Sequence, residues 1–293
     1  MGTPDFAVSA LKHLWNNKFP IELVVTNPDR PAGRGMQLAP SPVKQWALKH
    51  DLPVIDDLDL FMGNIVRAGS KPAPQKPIIV IVAYGKILPA ELVNNYTCIN
   101  LHASMLPLYR GASPIQTCLL NGDEKTGVTT MLINEKMDAG DILLKKEIDI
   151  GGNETVSELH DRLAEVGADV LEDTLRQFNN ITPVPQDDNK SSYCRKIKKE
   201  DRLLDLSSSY EKVHNTVRAI GGYFFDGKKR ITITRTILKN DDSVRAGSKP
   251  APKINDDNLI KQLTTLSKHL DIWVKPEGKK EMTIEEYLRG RRK

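Results

Sequence analysis

The chain has 293 residues, with 39% hydrophobic, 5% aromatic and 27% charged side chains and a net charge of +4. This composition excludes a chain disordered throughout, and the longest apolar run, Ile78 to Tyr84, is too short to span a membrane. Three cysteines, Cys98, Cys118 and Cys194, with no CxxC spacing exclude a disulfide framework and a structural zinc site. With no charged-then-apolar leader at the start, a reducing cytoplasm is the expected compartment.

The charge is unevenly spread. From residue 190 onward 25 Lys and Arg face 14 Asp and Glu, whereas the first 189 residues hold 17 basic and 24 acidic side chains. A basic C-terminal third is either a surface for a polyanion or a solvated basic face without a partner.

In chain order, the spacing of apolar residues predicts an amphipathic helix over 5–16 and a strand over 21–25. A helix follows over 41–50, with Ser41 as cap and Pro42 as first residue. Residues 78–83 (IIVIVA) read as a strand covered on both faces. Further strands are predicted over 97–101 and 127–133, and helices from Ser113-Pro114 to 121 and over 156–178. Helices alternating with strands predict an α/β domain with a Rossmann-like, mostly parallel sheet. Prolines followed by polar residues over 181–190 predict a linker, dividing the chain into 1–185 and 186–293. Beyond it come a helix over 208–220, an alternating strand over 229–238 and a short helix from Thr283 to Leu288.

Two features stand apart. VRAGSKPAP occurs at 66–74 and again at 244–252; its Gly, Ser and Pro content predicts inserted surface loops. A parallel α/β domain ordinarily opens with a buried central strand. Here Gly2-Thr3-Pro4 come almost at once, so the first strand is read as missing, through an earlier true start or a truncated copy.

Chemistry points to residues 98–116. Asn100 and His102 are two apart at the end of a predicted strand, which puts both side chains on one face. Ligand sites of α/β sheets form at strand ends, and a carboxamide beside an imidazole offers directed donors to a developing oxyanion. Met137-Asp138-Ala139-Gly140-Asp141 could bring a carboxylate to that histidine, or form an exposed acidic turn. Arg30 and Arg34 stand in a Pro- and Gly-rich loop, NPDRPAGRG, of the kind that can close on an RNA end.

Asn100-x-His102, Ser104-Met105-Leu106-Pro107, Gly111, Pro114 and Asp138 together resemble the folate-dependent formyltransferases. So do GTPDF at 2–6, NPDRPAGRG at 27–35, SPVK at 41–44, VAYGKILP at 82–89, RGASPIQ at 110–116, GDEKTGVT at 122–129 and KPEGKKEM at 275–282. The resemblance implies transfer of the formyl group of 10-formyltetrahydrofolate to the α-amino group of methionine on initiator tRNA, without a metal, by a monomer that has no membrane partner. It implies that Asn100 and His102 stabilise the oxyanion, that Asp138 holds and tunes His102, and that Ser104, Met105, Leu106 and Pro107 contact the folate. Arg34 would meet the acceptor end of the tRNA. An OB-like C-terminal barrel would hold the tRNA body through phosphate contacts, with Lys228, Lys229 and Arg230 as candidates beside Arg195, Lys196, Lys198 and Lys199. Two alternatives remain: a folate formyltransferase acting on a small amine, which has no use for the PAGRG loop or the basic domain, and an RNA-binding homologue with impaired catalysis, which the intact Asn100, His102 and Asp138 oppose.

Overall fold

A computed structural model describes residues 1–32, 36–68, 77–239 and 258–291. The chain divides into two units. The first comprises residues 1–110, 127–147 and 160–193; the second comprises 111–126, 148–159 and 194–293.

The first unit begins with the helix Asp5–Asn16, which buries Phe6, Ala7, Ala10 and Leu14 along one stripe. The helix Pro42–Lys49 starts as its sequence predicts: Ser41 Oγ accepts from Lys44 N at 3.1 Å, and Pro42 occupies the first turn. Lys44 Nζ lies 2.7 Å from both Asp29 and Asp56, which gives the SPVK lysine a structural task. The strand Val24–Val25 pairs in parallel with Val54–Ile55. Ile79–Val82 pairs in parallel with Cys98–His102. Met1 and Gly2 lie between these two pairs: Gly2 N donates to Val25 O at 3.0 Å, Val82 N donates to Met1 O at 2.9 Å, and Gly2 bridges Val82 in parallel.

The sheet is mixed, which corrects the expectation of a mostly parallel one. Cys98–His102 is antiparallel to Lys125–Leu132, with Ile142–Asp149 next in order. A parallel return needs a crossover element laid on a face of the sheet. The intervening helix Pro114–Asn121 packs instead against the helix Tyr210–Ile220. Alternation of helix and strand patterns in a sequence does not report that choice.

The long helix Val156–Gln177 covers one face of the sheet. A Cβ on Gly167 would lie 3.0 Å from Leu101 and 3.5 Å from Val128, and Thr130 Oγ1 meets Thr174 Oγ1 at 2.7 Å. Leu101 pairs with Thr130, so this is the face opposite Asn100 and His102. The 181–190 stretch predicted as a linker is held by hydrogen bonds to this unit: Val184 and Ile142 exchange both backbone bonds, at 2.8 and 2.9 Å. Of the first VRAGSKPAP copy, Val66 to Ala68 end the helix Leu58–Ala68, so the inserted-loop reading fails for those three residues. The rest of that copy and all of the second lie outside the described residues.

The second unit is built on an antiparallel sheet of Gly222–Asp226, Lys229–Leu238, Leu270–Pro276 and Met282–Thr283, in that order. Strict alternation turns Phe224, Ile231, Ile233, Ile272 and Val274 inward, where Val213 and Val217 of the helix Tyr210–Ile220 and Leu263 and Leu266 of the helix Leu259–Leu266 meet them. Among the described residues the sheet is open, not the closed barrel expected. Its strands join only consecutive neighbours, and no pairing links Gly222–Asp226 to Met282–Thr283. No described helix is long and apolar enough to cross a membrane.

Candidate functional site

The Cys98–His102 strand sets two of the predicted residues. Asn100 stands opposite Met131 and His102 opposite Thr129, all on the face that the long helix leaves uncovered. His102 is 7% exposed, while Asn100 is half-buried.

One edge of the imidazole is committed to the backbone. His102 Nε2 lies 2.9 Å from the carbonyl oxygen of Tyr109. A carbonyl only accepts, so Nε2 carries the proton. Tyr109 takes a left-handed φ of 59°. The other edge faces Asp138: Nδ1 to Oδ2 is 3.9 Å. That separation exceeds a hydrogen bond. It leaves space for a shared atom within hydrogen-bond reach, about 2.6–3.2 Å, of both groups.

The Asp138 loop is shaped by its own sequence. Asn134 Oδ1 accepts from Lys136 N at 2.9 Å, and Asn134 Nδ2 donates to Ala139 O at 3.2 Å, so one Asx side chain staples the turn. Asp138 takes a left-handed φ of 49°, a conformation that Asp tolerates. Gly140 passes so close to the sheet that a Cβ there would lie 1.7 Å from Leu132 O. Leu132 N donates to Asp141 O at 2.9 Å and closes the loop.

The Ser104–Pro107 segment is anchored by Thr129, which is fully buried. Thr129 Oγ1 donates to Ser104 O at 2.7 Å and accepts from Leu106 N at 3.1 Å. Ser104 and Leu106 are themselves buried, and Ser104 Oγ donates to Leu108 O at 2.6 Å. Met105 and Pro107 keep partial exposure. Two of the four residues predicted to contact folate therefore shape the loop from inside, and two present surface.

A cavity of about 530 Å³ adjoins the Asp138 loop. Val93, Ile133 and Pro185 give it apolar walls, and Asn94, Asn134 and Gln186 give it amide edges. Gln186 falls in the stretch predicted as a linker, and Arg110 opens the RGASPIQ motif. The structure brings them together: Arg110 is 2% exposed, its Nε donates to Gln186 Oε1 at 3.0 Å, and its Nη2 lies 2.8 Å from Asp188. Arg110 and Thr129 stand in the motifs RGASPIQ and GDEKTGVT and Gln186 in none, but spacing does not show the partner of any of them, since each meets it across 20 or more residues. Among the described residues no group of three or more His, Cys, Asp or Glu could hold a metal ion.

The predicted RNA contacts are distributed. Arg30 is exposed on the hairpin Arg30–Ala32 with Gln37–Ala39, and Arg34 lies outside the described residues. Lys228, Lys229 and Arg230 are exposed at and after the turn that joins two strands of the second unit. The outer face of that sheet carries cations on aromatic rings: Arg230 lies 4.1 Å from the centre of Tyr223, and Arg235 lies 5.0 Å from that of Trp273. Arg195, by contrast, is held bidentate by Asp201 at 2.6 and 2.7 Å.

Residues 1–175 match the formyl transferase family, and residues 196–292 match the formyl transferase C-terminal domain. The chain belongs to the formyl transferase family. It is 38% identical to the methionyl-tRNA formyltransferase of Clostridium novyi (strain NT), over 99% of this chain and 95% of that one. It is 44% identical to the methionyl-tRNA formyltransferase of Geotalea daltonii, over 78% and 75% of the two chains. Among solved structures, the N-formyltransferase from Helicobacter canadensis in complex with folinic acid and dTDP-3-aminofucose shares the fold. Its TM-score is 0.62 at 22% identity, covering 82% of this chain and 86% of that one. Within this formyl transferase, Asn100, His102 and Asp138 all fall in the first matched domain, and Lys228, Lys229 and Arg230 in the second.

Proposed function

We propose that this chain transfers the formyl group of 10-formyltetrahydrofolate to the α-amino group of methionine carried on initiator tRNA. The observation that carries the reading is the approach of His102 to Asp138, with Asn100 on the same strand face, in a chain whose near full-length relative is named a methionyl-tRNA formyltransferase.

The chemistry follows from the edges left open. The amine nitrogen attacks the formyl carbon, and the C=O electron pair moves onto oxygen. Because Nε2–H is committed to Tyr109 O, His102 turns its Nδ1 edge to the reacting carbonyl. Asp138 faces that same Nδ1 and orients the ring, and the Asn100 carboxamide supplies a donor to the oxyanion. The attacking nitrogen loses a proton to Asp138, directly or through a water. The C–N10 bond then breaks, N10 takes up a proton, and the products are formylated methionine on its tRNA and tetrahydrofolate.

For the RNA partner, Lys228, Lys229 and Arg230 supply phosphate contacts from the second unit, and Arg30 supplies one from the first. The aromatic–cation face around half-buried Tyr223 and Trp273 supports RNA over a small amine as the acceptor.

The test is formyl transfer by the purified chain, offered methionyl initiator tRNA or amino-sugar nucleotides with 10-formyltetrahydrofolate. Formylation of the charged tRNA alone is expected, with about a hundredfold or greater loss of kcat in His102→Ala. Turnover of the small amine alone refutes the reading.

A further inference from the structure

Gln186 lines the cavity and also grips the loop that carries Asp138. Its amide orientation is decided by its partners: Arg110 Nε can only donate, so the atom facing it at 3.0 Å is Oε1. That leaves Nε2 to donate twice, to Asp138 O at 2.9 Å and to Gly140 O at 2.7 Å. The two carbonyls flank Ala139, so one amide grips both ends of the turn in which Asp138 holds its left-handed backbone. Such a conformation persists where the surroundings over-determine it. Arg110 makes the grip rigid, because its buried guanidinium is also fixed by Asp188 at 2.8 Å and by Tyr193 Oη at 3.2 Å.

We propose that Gln186, oriented by buried Arg110, is a positioning residue that holds Asp138 opposite His102. This rests on the reading that Asp138 acts in formyl transfer. Nothing in the geometry brings Gln186 to the reacting atoms; it acts through the loop. Leucine at 186 would keep the bulk and lose both donors. Glutamate would keep the contact with Arg110 and set a carboxylate against two carbonyls.

The test uses the full chain. Gln186→Leu and Gln186→Glu are assayed for kcat and for KM of the tRNA, each alone and combined with Asp138→Asn. Each single variant is expected to lose roughly 10- to 100-fold in kcat, with KM for the tRNA within about twofold of the parent. In the Asp138→Asn background the further loss is expected to shrink to under about twofold, since the group being positioned is gone. Equal losses in both backgrounds mark a merely structural side chain and overturn the proposal. Parental kcat in the Gln186 variants, beside a crippled Asp138→Asn enzyme, overturns this inference alone. Parental kcat in Asp138→Asn overturns the reading of the site as well. Should the leucine variant fail to fold, the glutamate variant decides by the same comparison.

Discussion

Gly140→Ala perturbs the Asp138 loop by a single methyl group. The added Cβ would lie 1.7 Å from Leu132 O and 2.8 Å from Leu132 C, whereas ordinary contact begins at 3.4 Å. The loop must therefore retreat from the strand by about 1.7 Å. Both obstacles are backbone atoms of the central sheet, so no side chain can swing aside. Retreat also strains Leu132 N to Asp141 O and the two Gln186 bonds, which hold the loop from either side. A displacement of about 1 Å at a reacting group costs on the order of a hundredfold in rate, and overpacking costs about 1–3 kcal/mol in stability. We expect kcat for formyl transfer to fall at least a hundredfold and the urea midpoint to drop. Gly63→Ala is the matched control: it sits in the helix Leu58–Ala68 with nothing within 4 Å of its Cβ. That change is expected to stabilise by about 0.5–1 kcal/mol and leave kcat unchanged. A Gly140→Ala enzyme with kcat within threefold of the parent refutes the close-approach argument.

Three further outcomes are expected. Thr129→Val leaves Ser104 O and Leu106 N without their buried partner, so urea unfolding should show a loss of about 2–4 kcal/mol; a change below about 0.5 kcal/mol contradicts the anchoring role. His214 is buried between Thr236 Oγ1 and Gly152 O, each at 2.9 Å, and desolvation lowers its pKa below the usual 6.5. Its stabilising contribution is complete above the unfolded value and lost as pH falls through the lower folded one. Stability should therefore drop with pH below about 6.5, less so in His214→Gln, and identical pH profiles for the two proteins speak against it. Burial pushes the thiols of Cys98 and Cys118 up to about 11. Neither should react with a disulfide reagent at pH 8 before unfolding, and rapid labelling of the native protein counts against their burial.

The sequence by itself determined the local elements and put forward Asn100, His102 and Asp138 as the candidate reacting groups. The 3.6-residue period of Phe6, Ala7, Ala10 and Leu14, the Ser41-Pro42 start and the β-branched run at 79–82 each encode their structure within a few residues of chain. The two-residue step from Asn100 to His102 likewise fixed a shared face. Tertiary structure alone decided where distant groups meet. It turned the Lys125–Leu132 strand antiparallel by drawing the Pro114–Asn121 helix onto Tyr210–Ile220. It left the second sheet open among the described residues. It also made a buried arginine and a supposed linker glutamine the clamp on Asp138. Local propensity acts between neighbours in the chain, whereas these arrangements depend on which buried surfaces and donors find partners far along the chain, and no periodicity records that.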